Sequence, residues 1–321
     1  MNAFVPAVGP VAIIDIGSNS IKVLVATRAP NGDIVPVKVR TLDARISAGI
    51  NQAAPHLSED GMQRGVTAIA TLLADAATAG ASAFTLVATS AVRDALNGED
   101  FRARVKAATG ETIRILSGDE EANLIGRGLV TDPALRHLED FYVFDLGGGS
   151  LECLSFRARR IEQAVSVRLG CVRLTERFVA DPQRPMTPAE IAAISAHTRE
   201  VVTQSGFRFS LAKTAVAVGT GGTVATARAI LGGREGRPFE ATASTITLAQ
   251  MRALREGITA LPLEERKKVA GMPPARADVF PTALVTLIAL AELGGFTCFQ
   301  NSLYNLRYGL ADATLAAAAA R

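Results

Sequence analysis

The sequence predicts an α/β protein made of a duplicated, strand-first unit with a cleft between its halves. Residues 13–26 read IIDIGSNSIKVLVA and residues 143–156 read VFDLGGGSLECLSF, so a shift of 130 positions lays Asp15 on Asp145, Gly17 on Gly147 and Ser20 on Ser150. Each half runs strands first and helices afterwards, an order suited to sheets covered by helices. The 321 residues exceed what one hydrophobic core usually serves. Asp132-Pro133 marks the expected boundary, giving domains 1–132 and 133–303, with a terminal helix at about 304–321 able to pack back on the first.

In order along the chain, residues 11–28 read as two strands around the first turn, and VPVKVRTLDARI continues as a third strand after the turn dipeptide Asn31-Gly32. Ser58 is the expected N-cap of a helix that Gly80 ends. A strand at 84–92, a helix from Asp100 to Thr109 with Gly110 as its stop, a strand at 112–118 and a helix from 119 to 130 complete the first half. The second half repeats strand, turn, strand at 141–156, extends again at 163–170, and enters the helix CVRLTERFV. After a Pro-rich loop (181–188) come an amphipathic helix and the strand, Gly-rich turn and helix of KTAVAVGTGGTVATARAI. The remainder reads as mostly helical, broken by Pro262, Pro273-Pro274 and Pro281.

Composition narrows the function. With 48% hydrophobic and 20% charged residues and a formal charge of +3, the chain is globular and only mildly basic, which gives no ground for a nucleic-acid partner. Cys153, Cys171 and Cys298 are widely spaced with no CxxC, so they read as thiols in a reducing cytoplasm. His56, His137 and His197 lack metal-ligand spacing. The N-terminal MNAFVPAVGP has no basic region of a secretory signal. The longest apolar stretch, 281–296, contains Glu292 and falls short of the ~20 residues a membrane span needs. No membrane partner is therefore expected.

The chemistry points to phosphate. A tight Gly/Ser/Asn turn leaves backbone N–H groups free for an anion, and each copy of the turn follows an Asp. Gly17, Ser18, Asn19 and Ser20 form the first turn, and Gly147, Gly148, Gly149 and Ser150 the second. Asp15 and Asp145, brought face to face, could hold Mg²⁺, which needs only one or two carboxylates when phosphate oxygens and water complete its shell. Glu120 and Glu121 open a helix; one of them is the candidate base, since a dehydrated carboxylate among other carboxylates has a raised pKa. Glu152 lies two residues past Ser150, on the same side of its strand, and Lys22 matches it in the first copy. Arg93 ends a strand where a guanidinium can clamp phosphate. The third Gly-rich turn, GTGGT, places Gly221, Gly222 and Thr223 at a strand-to-helix junction. No GxxxxGK[ST] loop occurs.

Taken together, DIGSNSIK, ATSAVRDALNGEDF, ILSGDEEANLIGRG, FDLGGGSLE, VGTGGTVATA and PPARADVF resemble, in order and spacing, the Ppx/GppA phosphatase family of exopolyphosphatases and guanosine pentaphosphate phosphohydrolases. The resemblance implies an actin-like, sugar-kinase-like fold of two ribonuclease-H-like domains, in the short form without the added helical domain. It implies removal of a terminal phosphate from polyphosphate or pppGpp with Mg²⁺, a monovalent cation such as K⁺ being a further candidate. Glu121 is implied as the base, Asp145 and Glu152 as its catalytic partners, and Asp15, Asp145 and Glu152 as the metal set. Gly147 and Gly148 are implied as backbone donors, and Arg93, Lys22 and Arg276 as ligands of distal phosphates. Leu151 stands where the family has Thr, NSLYNLRYGL replaces a VSDRGLREGL-like segment, and PPARAD lacks a Glu before Arg. Polyphosphate hydrolysis is the leading expectation, with pppGpp hydrolysis, phosphotransfer to or from ADP, and non-catalytic alarmone binding as alternatives. A homodimer is compatible with the resemblance.

Overall fold

The computed structural model describes residues 9–47 and 49–319. The first sheet has the order β3-β2-β1-β4-β5, from β1 (Val11–Ile16), β2 (Ser20–Arg28), β3 (Ile34–Asp43), β4 (Ala83–Ala88) and β5 (Ile113–Ile115). β1 runs antiparallel to β2 and parallel to β4. Between β3 and β4 lies α1 (Glu59–Thr78), capped by the Ser58 side chain accepting from the Gly61 N–H. α2 (Ser90–Arg93) and α3 (Gly98–Thr109) separate β4 from β5, and α4 (Gly118–Val130) follows.

The second sheet opens with β6 (Phe141–Leu146), β7 (Leu151–Arg157) and β8 (Arg160–Val167), followed by α5 (Cys171–Phe178) and α6 (Pro188–Gln204). Then come β9 (Val216–Thr220), α7 (Gly221–Arg234), β10 (Thr245–Thr247), α8 (Leu248–Thr259), α9 (Leu263–Lys267), α10 (Phe280–Gly294), β11 (Cys298–Asn301) and α11 (Leu306–Ala319). Its order is β10-β11-β9-β6-β7-β8. Three antiparallel strands flanked by parallel ones recur in both sheets, the ribonuclease-H-like pattern.

β1 is buried at every position, and a central strand covered on both faces reads as a nearly continuous apolar run. Alternate side chains enter different cores. Ala12, Ile14 and Ile16 pack with Ile69, Leu72, Phe101 and Val105 of α1 and α3. Val11 and Ile13 join a core that spans both sheets through Val143, Leu154, Ile125, Leu129, Leu306 and Leu315. The helices there are exchanged. α4 follows the first sheet in sequence but packs on β7 and β8, whereas α11 follows the second and packs on β1 and β2. The two helices also pack on each other.

The C-terminal part is mostly helical, as expected, and β10 and β11 also pair in it; strands of three and four residues are too short to show a period of two. One expectation needs correction. Pro281 does not break a helix but sits in the first turn of α10, where its missing N–H has no intrahelical partner to lose. No helix of the described residues is long and apolar enough to cross a membrane.

Candidate active site

The two repeated turns form the same structure. Gly17 donates its N–H to the Ser20 carbonyl at 3.2 Å, and Gly147 donates to the Ser150 carbonyl at 3.0 Å. They also meet: a Cβ on Gly148 would lie 2.7 Å from Ser18 Cβ, so only a glycine permits this approach. The Ser18 and Ser90 hydroxyls are 3.4 Å apart at the same junction. Between the halves lies a narrow cleft lined by Asp15, Lys22, Glu121, Asp145, Glu152 and Arg276, with both turns, Gly221 and Gly222 around them.

Strand register places the acids. Asp15 is directly opposite Lys22 across β1 and β2, with 3.9 Å between Nζ and the carboxylate. Asp145 is opposite Glu152 across β6 and β7. Asp145 also adjoins the start of α7, where Gly221 has φ +78° and a Cβ would lie 2.1 Å from Asp145 Oδ1. Burial pushes the Asp145 carboxyl up to about 6, against the pull of Lys22. Glu152 is 2% exposed and accepts a 2.8 Å bond from the Ser166 hydroxyl. Burial, then the neighbouring Glu121 and Asp145, hold its pKa well above the usual carboxylate range. Burial also lowers that of Lys22, opposed by Asp15.

The choice between the two adjacent glutamates is made by the helix cap. Glu120 completes a capping box: its side chain accepts from the Ser117 N–H at 2.9 Å while its own N–H donates to Ser117 Oγ at 3.1 Å. Glu120 also pairs with Arg114 outside the cleft. One residue further round the helix, Glu121 faces inward. Arg93 Nη1 donates to Glu121 Oε2 at 2.9 Å and to the Leu116 carbonyl at 3.0 Å. Burial raises the Glu121 carboxyl to about 7; Arg93 opposes the shift, and Asp15 and Asp145 add to it. A carboxylic group poised there suits proton transfer near neutrality.

Three residues of the expected site stand outside the cleft's lining. Arg93 is bonded to Glu121 and faces Gly149 and Ser150 of the second turn from a neighbouring pocket. Thr223 is fully buried, donates to the Leu146 carbonyl at 3.3 Å and accepts from Arg276 at 3.4 Å, so it supports an arginine instead of lining the cleft. Gly149 lies at a neighbouring, more open pocket shared with Arg93, Ser150 and Arg168. Among the described residues no group of three or more His, Cys, Asp and Glu side chains is placed to hold a metal ion by itself. The donors are hard carboxylate oxygens, which fits Mg²⁺ held by one or two of them together with phosphate oxygens.

Sequence reasoning missed Thr89, Ser90, Asn305 and Leu306, which also line the cleft. The ATS run before Arg93 carried a signal for the first two, since hydroxyls at a strand end adjoin the repeated turn. It also missed Arg173, 8% exposed, which donates to the Gly149 carbonyl (3.1 Å), the Ile50 carbonyl (3.2 Å) and Asp94 (2.6 Å). That guanidinium ties the second turn to the first half.

Fold and site thus define a two-lobed α/β protein with a carboxylate-lined crevice between the lobes. The sequence pattern of the Ppx/GppA phosphatase family matches residues 24–317, and the chain belongs to that family. Among solved structures, an exopolyphosphatase from Cytophaga hutchinsonii shares the fold with a TM-score of 0.86 at 22% identity, over 96% of this chain and 98% of that one. The Aquifex aeolicus Ppx/GppA family member does so with a TM-score of 0.76 at 23% identity, over 96% and 98%.

Proposed function

We propose that the protein hydrolyses the terminal phosphoanhydride of inorganic polyphosphate, with Glu121 as general base. The observation that carries this reading is the position of Glu121: buried, oriented by Arg93, raised to about 7, and in one cleft with both Asp-bearing turns. The N–H groups of the two turns would hold the terminal phosphate. Lys22 and Arg276 would offset the charge of the phosphates behind it. Glu121 would take the proton from the attacking water, and Arg93 would keep its carboxylate aimed. Asp15 and Asp145, with Glu152 beside Asp145, would hold Mg²⁺, which when bound supplies charge neutralisation and orientation of phosphate oxygens.

A second reading, hydrolysis of pppGpp, has its own support. A less polar cavity of about 260 Å³ shares Ser18 and Asn19 with the cleft and is lined by Val172, Val179 and Val279 together with Arg45, Glu176 and Asp278, room that a nucleobase could use. The test is a phosphate-release assay with long polyphosphate, short polyphosphate and pppGpp, each with and without Mg²⁺, and with ADP added to detect phosphotransfer. Glu121→Gln is expected to abolish release while leaving ligand binding largely intact. Near-normal turnover by that variant would remove Glu121 from its role.

A further inference from the structure

Three buried side-chain nitrogens among the described residues lack any hydrogen-bond partner: Nε of Arg276, and Nε and Nη1 of Arg307. Arg276 already lines the cleft. Arg307 belongs to the segment NSLYNLRYGL and lies in the first turn of α11, 8% exposed. Asn305 and Leu306, just before it, line the cleft. The charges of Asp15 and Asp145 act on Arg307, and its own charge acts on Lys22.

The backbone that carries it is held in place, just outside the cleft lining. Helices α4 and α11 cross at backbone contact: a Cβ on Gly128 would lie 2.1 Å from the Asn305 carbonyl oxygen, and one on Gly309 would lie 1.9 Å from that of Leu124. The Arg307 N–H is bonded to Asn305 Oδ1 at 3.2 Å. The helix that carries Glu121 therefore also fixes the helix that carries Arg307. A buried guanidinium with idle donors is costly to a folded protein. A simple counter-charge for Asp15 or Asp145 would be expected to bond to one of them, and no such bond is made. Planar guanidinium donors are suited to phosphate oxygens.

We propose that Arg307 is a ligand for the substrate anion, its unused Nε–H and Nη1–H directed to phosphate oxygens at the end of the cleft held by Asp15 and Asp145. This assignment rests on the anion-cleft reading above and adds a residue to it. The test is calorimetric titration of inorganic tripolyphosphate, with Mg²⁺ present, into protein carrying Glu121→Gln. The same titration is made in that background with Arg307→Met and with Arg307→Lys, and each protein is melted without ligand. Arg307→Met should bind about tenfold more weakly or worse, with an unliganded melting temperature equal to or above its parent's, since replacing an unpaired buried charge by an apolar chain is neutral or stabilising.

Arg307→Lys should also bind more weakly, because an ammonium keeps the charge but not the planar donors. Parental affinity in Arg307→Lys shows that only charge matters and overturns the assignment. So does unchanged affinity in Arg307→Met with a lowered melting temperature, which marks a structural arginine. Should Arg307→Met not fold, Arg307→Lys alone decides. Absence of tripolyphosphate binding in both wild type and the Glu121→Gln parent overturns the cleft reading and this assignment with it, an outcome distinct from a loss confined to Arg307.

Discussion

Lys22 and Glu152 occupy the same place in two copies of one hairpin. Lys22 is the cross-strand partner of Asp15 and Glu152 that of Asp145. The first copy pairs an acid with a base; the second pairs two acids, both with raised pKa values. The duplication thus yields a cleft with polarity, one wall carrying an acid-base pair and the other two carboxyls with raised pKa values.

This polarity predicts separable defects. Lys22→Met should raise KM for the anionic substrate with little change in kcat, and Glu152→Gln should lower kcat by roughly 10–100-fold, the range for groups that orient a metal site. Steady-state kinetics on both variants checks this, and a fall in kcat alone for Lys22→Met would contradict it.

Arg93 opposes the upward shift of Glu121. In Arg93→Gln the Glu121 pKa should rise above about 7, leaving less of the base ionised at neutral pH. The acid limb of the kcat/KM profile should move to higher pH, each unit lowering the ionised fraction about tenfold below the pKa. Activity should therefore recover partly on the alkaline side. A loss independent of pH would assign Arg93 to substrate binding instead.

The crossing of α4 and α11 has no room for a side chain at Gly128, where a Cβ would lie 2.1 Å from a backbone oxygen. Gly128→Ala should destabilise the fold by about 1–3 kcal/mol or more, as overpacking does. Denaturant unfolding would measure it, and unchanged stability would mean that the helices slide apart at no cost.

Asp312 anchors α11 by accepting from Arg28 at 2.7 Å and from Arg127 at 2.7 Å. Burial raises its pKa, but the bonds from Arg28 and Arg127 outweigh it and hold the carboxyl below its model-peptide value of 3.8. The stabilisation is therefore fully present above that value and is lost as pH falls through the lower folded one. Asp312→Asn should cost about 1 kcal/mol at neutral pH, the pair being partly solvent-screened. It should also flatten the decline in stability below pH ~4. An unchanged acid-unfolding curve would show that Asp312 contributes nothing there.

Much of the site was legible along the chain because it is built from local structure. Strand, turn, strand around Asp15 and Asp145, the helix opening at the acids 119–121, and the glycine turn at Gly221 each depend on neighbours a few residues away, so composition and periodicity expose them. The choice of Glu121 over Glu120 was not legible in the local pattern, only in the family resemblance: both suit a helix start, and helix rotation alone sends one to the cap and the other inward. The burial of Thr223 and the diversion of Arg93 to Glu121 were hidden for a related reason, since their partners are distant in sequence.

The amino-acid order was thus enough to specify two acidic turns, two strand-first halves and a phosphate-handling chemistry. Only packing across the molecule could settle that α4 and α11 lie on each other's sheets, that Ser18 meets Gly148, and that Arg307 is buried with idle donors beside the cleft. Local periodicity records which face of an element is apolar, but not which distant surface covers it. That is set by the shape and volume of partners more than a hundred residues away.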